Sequence, residues 1–354
     1  MDIVPLIEWI GESETAALFG LVTGITFGVA AQRSRFCLRA ATVEFARRQM
    51  GASVAVWLLT FSTALAWVQG AALLDFMRPM DARMMAVTGS WSGAIIGGLL
   101  FGVGMVLARG CSGRLLVLAS TGNLRSITSG LIFAVVAQMS LHGWLAPTRD
   151  KLAMLWITPG GTNVNLLDAL RLPDWSGFAL GLVLAVLALY ISRKNRIGAP
   201  RLIFASGVGF AVALGWVLTF NLSQVAFDPV TVTSATFTGP SANTLMFFLD
   251  SNPILEFDVG LVPGVVIGAF AASYLKGEFK WQGFDNEGNM RRAFTGAALM
   301  GFGGMLAGGC AIGAGVTGGS IFVGTAWLAL FFMWVGAMIT DLVVDQRGMA
   351  GVPA

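Results

Sequence analysis

The stretch G-M-V-L-A-R-G-C-S-G, Gly104 to Gly113, returns 199 residues later as G-G-M-L-A-G-G-C-A-I, Gly303 to Ile312. With Cys111 laid on Cys310, six of twelve positions are identical: Gly102/Gly301, Gly104/Gly303, Leu107/Leu306, Ala108/Ala307, Gly110/Gly309 and the cysteines themselves. Two of the chain's three cysteines therefore occupy matching places. The third, Cys37, follows a glycine ladder at Gly20, Gly24 and Gly28 and closes the run Q-R-S-R-F-C.

Composition says where such a repeat can live. The chain of 354 residues is 56% hydrophobic and 12% charged, with a mean hydropathy of +0.76. That profile excludes an ordinary soluble domain and fits an all-α polytopic membrane protein. The N-terminal stretch carries Asp2, Glu8, Glu12 and Glu14 before any basic residue. This is the reverse of a signal peptide's charge pattern and predicts a short interfacial helix instead. Three cysteines cannot all pair, no C-x-x-C or Cys/His spacing is present, and His142 is the one histidine, so neither a disulfide framework nor a metal or cofactor site is expected. The net charge of +3 is small, and no nucleic-acid partner is expected.

A helix needs about 20 mostly apolar residues to cross a bilayer. Nine segments qualify: 15–32, 52–74, 88–108, 126–145, 176–192, 202–222, 258–275, 293–308 and 321–341. Alternate loops hold Arg33, Arg35, Arg39, Arg47 and Arg48; Arg109, Arg114 and Arg125; Arg193, Lys194, Arg196 and Arg201; Lys276, Lys280, Arg291 and Arg292; and Arg347. These are 17 of the 22 basic residues, against Arg78, Arg83, Arg149, Lys151 and Arg171 on the other side. Lys and Arg accumulate on the cytoplasmic side, so the N-terminus is predicted outside and the C-terminus inside. The third span then descends to Cys111 while the eighth rises to Cys310. The copies are inverted, dividing the chain at 1–175 and 176–354.

Inverted repeats are a transporter plan in which broken helices meet near the midplane. A straight third span would carry Cys111 to the surface, so a central Cys111 requires short re-entrant or broken helices. Spacings such as Gly93/Gly97, Gly98/Gly102 and Gly260/Gly264/Gly268 each read, taken alone, as close helix packing. Trp9, Trp57, Trp67, Trp91, Trp144, Trp156 and Trp175 suit an aromatic belt.

The candidate path residues follow from the chemistry of the motif. Gly110-Cys111-Ser112 and Gly309-Cys310 place a thiol after a residue that lets the backbone bend and a ligand approach. Backbone N–H groups at such turns bind anions without side-chain charge. S–H is a weak donor suited to a polarisable sulfur ligand; sulfate or phosphate would call for arginine forks. Gln32 is the polar neighbour of Cys37 most able to reach a path. Arg109 stands where the second copy has Gly308, either as a cytoplasmic anchor or as a charge on the path. The run 227–243, rich in Ser and Thr and containing Thr238 and Gly239, reads either as an external loop or as a re-entrant anion-binding segment.

The segments G-I-T-F-G-V-A-A-Q-R-S-R-F-C (Gly24 to Cys37), G-V-G-M-V-L-A-R-G-C (Gly102 to Cys111) and G-F-G-G-M-L-A-G-G-C-A-I-G (Gly301 to Gly313) resemble the YeeE/YedE sulfur-transport family. The resemblance implies an hourglass-shaped inner-membrane protein that takes up thiosulfate, relays it along Cys37, Cys111 and Cys310 by S–H to sulfur hydrogen bonds, and hands it to a small cytoplasmic sulfur-carrier protein. Arg-Gly-Cys at Arg109 departs from the family's Gly-Gly-Cys. Two other readings compete: a membrane thiol–disulfide redox protein using the three cysteines, and a transporter for selenium or other sulfur species.

Overall fold

In the computed structural model, which describes residues 3–251, 253–283 and 287–346, the described chain is helical. Asp2 and Arg347, both used in the charge argument, lie outside these residues. In order the helices are α1 (Val4–Ile10), α2 (Glu12–Ser34), α3 (Leu38–Ala46), α4 (Ala52–Leu73), α5 (Arg83–Ala86), α6 (Trp91–Leu107), α7 (Ser112–Ser120) and α8 (Leu124–His142). They continue with α9 (Ala146–Ala153), α10 (Leu166–Ala169), α11 (Trp175–Lys194), α12 (Ala199–Val225), α13 (Thr238–Phe247), α14 (Phe257–Tyr274), α15 (Glu287–Leu306), a π-helical turn (Ala311–Gly318) and α16 (Gly324–Thr340). Among the described residues nine segments are long and apolar enough to cross a membrane, and each overlaps one of the nine read from the sequence.

Hydrogen bonds between loops sort them into two sets. On the arginine-rich face Arg201 Nε donates to Ser34 O (2.8 Å), Asn123 Nδ2 to Gln282 Oε1 (2.7 Å) and Asn195 Nδ2 to Met50 O (2.8 Å). On the opposite face Arg83 N donates to Val232 O (3.0 Å), Asn163 Nδ2 to Thr325 Oγ1 (2.8 Å) and Phe227 N to Glu12 Oε1 (2.8 Å). These are the two loop sets that basic-residue counting separated.

The inversion is visible in how the glycines pack. On α6 and α15, which carry the repeated motif, a β-carbon at Gly97 would strike Gly303 O and Ala307 N, and one at Gly296 would strike Gly104 O and Ala108 N. The helices therefore run antiparallel, and exchanging motif positions turns the first contact into the second. The same exchange relates α6 on α16 to α15 on α8, and α7 on α8 to the π turn on α16. It also relates α2 on α14 to α12 on α4, and α3 on α4 to α13 on α14. Helix α11, packed on α4, supplies the odd crossing that reverses the second set.

Backbone contact this close is what lipid demands, since apolar tails give helices no hydrophobic drive to associate. Along α2 and α14, Gly20, Gly24 and Gly28 meet the carbonyls of Phe257, Leu261 and Val265, and Gly260, Gly264 and Gly268 meet those of Ala17, Leu21 and Ile25. These spacings are packing devices, as each one alone suggested. One tryptophan expectation is corrected: Trp57 is buried, stacked on Phe61 (centroids 5.3 Å) and edge-on to Trp334 (5.2 Å). Aromatic neighbours at 57, 61 and 334 outweigh the interfacial preference, whereas Trp9, Trp144 and Trp175 are exposed.

One ion pair ties the arginine-rich face together. Arg47, after α3, donates through Nε (3.1 Å) and Nη2 (2.9 Å) to both oxygens of Asp341, whose side chain has no solvent exposure. Arg47→Ala removes this bidentate partner from a buried carboxylate, at an expected cost of about 3–5 kcal/mol. Thermal unfolding of the purified variant checks it, and Arg47→Ala/Asp341→Ala should recover part of the loss.

Candidate functional site

All three cysteines stand at the same kind of place: the N-cap of a short helix that begins after a long one breaks. Cys37 caps α3, Cys111 caps α7 and Cys310 caps the π turn. In each case the residue two before the thiol is left-handed: Arg35 (φ 57°), Arg109 (φ 57°) and Gly308 (φ 77°). The two motif copies then close identically. Gly110 N donates to Met105 O (3.0 Å) and Gly309 N to Gly304 O (2.9 Å).

The departure at Arg109 is thus a change of side chain on a common turn. A left-handed arginine costs roughly 1–2 kcal/mol that Gly308 avoids. Its guanidinium is exposed on the arginine-rich face, with Nη2 3.3 Å from Asn289 Oδ1. Gly309 is constrained further, because a β-carbon there would lie 2.7 Å from Ala314 N.

The thiols fall into a pair and a single. Cys37 and Cys111 are neighbours within reach of each other, and all three cysteines are free. Cys111 and Cys310 are fully buried and Cys37 half-buried. Arg114 and Arg39 lie within electrostatic reach of Cys37. Cys310 Sγ accepts Gly313 N (3.4 Å), which leaves its S–H free to donate.

The other sequence candidates are distributed around these breaks. Gln32, Ser112 and Thr238 are buried, and among the described residues Gln32 Oε1, Ser112 Oγ and Thr238 Oγ1 have no hydrogen-bond partner. Buried polar atoms are nearly always paired, so three such orphans at or near the helix breaks mark positions where a polar ligand would be satisfied. Gln32 Nε2 donates to Glu278 (3.1 Å).

Thr238 and Gly239 open onto a cavity of about 320 Å³ on the arginine-poor face. Its walls include Arg83, Thr236, Thr317 and the strand of backbone from Gly304 to Gly309. A second cavity of about 190 Å³ shares Arg83, Thr233 and Asp258 with it. On the other face, Gln32, Arg33, Arg35, Arg201, Phe204 and Glu278 line a pocket of about 190 Å³ beside the Cys37 break.

The run 227–243 divides: residues 227–231 lie at the surface, and from Val232 onward the segment is inserted. Ser234 Oγ donates to Val212 O (2.6 Å), Thr219 Oγ1 to Thr233 O (2.7 Å) and Thr317 Oγ1 to Ala235 O, leaving Ser234, Ala235, Phe237 and Thr238 buried. Two residues were missed from the sequence. Arg83 looked like one of five scattered basic residues on its side, and Phe237 bore no sign of its place; it caps α13 as Cys37 caps α3.

Nine candidate spans among the described residues, two inverted sets of helices that break ahead of buried N-cap residues, and cavities that reach in from opposite faces define a membrane transport protein. It belongs to the sulphur transport family, whose model matches residues 33–339. Two relatives are each named thiosulfate transporter TsuA. The one from Escherichia coli (strain K12) is 26% identical over 364 aligned residues, covering 93% of this chain and 95% of the relative. The one from Spirochaeta thermophila is 26% identical over 354, covering 93% and 99%.

Proposed function

We propose that the protein carries thiosulfate, or a closely related sulfur-containing anion, across a bacterial-type inner membrane, with the arginine-rich face in the cytoplasm and the N-terminus outside. The two halves, 1–175 and 176–354, meet around the path. The observation that carries this reading is that all three thiols stand at the N-caps of short helices where longer helices break, with Cys37 and Cys111 as neighbours. Two neighbouring S–H groups can each turn to a terminal sulfur.

The ion enters through the cavity that holds Arg83, meets Cys310 behind Gly309, passes to Cys111 and leaves at Cys37. Short helices present their N-termini at these breaks, so backbone N–H groups and helix dipoles offset the ion's charge without a fixed cation. Ser112, Thr238, Gln32 and the amide at Gly239 supply further contacts, while Gly110 and Gly309, whose own N–H groups close the turns, keep side chains out of the way of the ion. Beyond Cys37, Arg33, Arg35 and Arg201 draw the anion out. Arg109, turned to the surface, helps hold that face at the cytoplasm. A small cytoplasmic sulfur-carrier protein receiving the ion there would keep flow inward.

Growth tests the reading. A bacterium lacking its own thiosulfate and sulfate uptake, supplied with thiosulfate as sole sulfur source, should grow when this chain is expressed. Failure to grow, with the protein present in the membrane, contradicts it.

A further inference from the structure

Three of the four helix breaks place a thiol at the N-cap; the fourth places Phe237 there, 200 residues after Cys37 and at its exchanged position. Phe237 is buried, with 1% of its surface exposed, and its ring centroid lies 5.0 Å from that of Phe27 on α2. A β-carbon at Gly113 would sit 3.2 Å from the Phe237 ring and 3.4 Å from Ile312 Cγ1. Gly113 is two residues beyond Cys111, and Ile312 two beyond Cys310. Phe27, Phe237 and Ile312 therefore form an apolar layer between the break that holds Cys111 and the break that holds Cys310.

The large cavity stops at this layer. Its walls include Thr236 and Thr238, on either side of Phe237, and Gly309, next to Cys310, but neither the phenyl ring nor the thiol. Beyond the layer lies the Cys37–Cys111 pair. A dianion crossing a closed apolar layer gives up water without gaining partners, a penalty of several kcal/mol, and hydrophobic constrictions gate pores on this basis.

We propose that Phe237, closed against Phe27 and Ile312, is the gate between the outer cavity and the inner thiol pair, and that it sets which anions pass. The backbone is built for one ring to move. Ser234 and Thr317 pin the segment up to Ala235, α13 begins at Thr238, and Phe237 lies between these anchors. Gly113, without a side chain, lets the ring close against α7. A terminal sulfur, the least hydrated atom of such an ion, enters an apolar layer more readily than an oxyanion face, which favours thiosulfate over sulfate.

The proposal rests on the transport reading above, and its test separates the two. Wild-type, Phe237→Ala and Phe237→Leu chains are purified, checked for a single size-exclusion species and placed in lipid vesicles, and influx of labelled thiosulfate and labelled sulfate is measured. The wild type should admit thiosulfate and exclude sulfate. Phe237→Ala should lose that discrimination, the influx ratio falling toward unity, with Phe237→Leu in between. A folded Phe237→Ala that keeps the wild-type ratio overturns the gate; if it does not fold, an unchanged ratio in Phe237→Leu does so. A wild type that carries no thiosulfate overturns the transport reading, while the gate then stands only if Phe237→Ala opens a sulfate leak.

Discussion

Cys310→Ala is expected to abolish thiosulfate uptake while the protein still folds. The side chain is fully buried, its sulfur accepts one backbone N–H at 3.4 Å, and no second thiol is paired with it. Alanine removes a sulfur atom from a site with small neighbours, and Gly313 N is left without its acceptor, a cost of about 1–3 kcal/mol that a nine-span protein tolerates. Passage loses its first S–H donor. Cys111→Ala should abolish uptake likewise, with the added effect of leaving Cys37 without its neighbouring thiol. Cys310→Ser discriminates further: a hydroxyl restores hydrogen bonding, but it is a stronger donor that suits oxygen over sulfur, so uptake should stay impaired. Labelled-thiosulfate uptake by vesicles holding equal amounts of each variant reads all three, and wild-type rates in Cys310→Ala would remove the cysteine from the path.

The largest loss of stability is expected at the crossing of α2 and α14. A β-carbon at Gly260 would fall on the carbonyl oxygen of Ala17 and close to Leu21 N, both backbone atoms of a helix gripped along its length by the next two glycines. Flexible side chains can yield; a helix backbone held at three successive turns cannot. Overpacking typically costs 1–3 kcal/mol and occasionally more, and Gly260→Ala should reach about 3 kcal/mol or above, seen as loss of monodisperse protein and a lowered unfolding midpoint in detergent. Gly130→Ala is the control. Nothing lies within 4 Å of a β-carbon there, and alanine's better helix propensity should leave stability unchanged or raised by up to about 1 kcal/mol. Equal behaviour of the two variants would mean that the α2–α14 contact is looser than described.

These two cases show what the sequence could and could not disclose. Nine candidate spans among the described residues, and the sorting of their loops into two sets, were legible because lipid admits few solutions: apolar runs of span length, with arginines gathered in alternate loops. The inversion was legible at one pair of helices only, where Gly104 to Cys111 and Gly303 to Cys310 keep their letters. The other exchanged pair, α2–α3 with α12–α13, keeps its geometry but not its residues, so nothing in the sequence matched Phe237 to Cys37. Likewise Gly308 signals a left-handed turn, whereas Arg35 and Arg109 adopt that turn without advertising it. The hydroxyl-rich run 227–243 had two readings, and each holds for a part: 227–231 lie at the surface, while burial and bonds to α12 and the π turn make the rest an inserted segment. Trp57 was misplaced for a related reason: the partners that bury it, Phe61 and Trp334, come together only in the folded chain.

The central claim, that a sulfur anion passes through buried thiols between two inverted halves, is tested most directly by influx of sulfur-labelled thiosulfate into vesicles holding the purified wild-type chain, with sulfate and selenite as competitors and without an imposed ion gradient. Saturable influx that unlabelled thiosulfate suppresses, that sulfate leaves nearly untouched and that Cys111→Ala abolishes is the predicted result. Influx at the rate of empty vesicles, or influx that persists unchanged in Cys111→Ala, would contradict it.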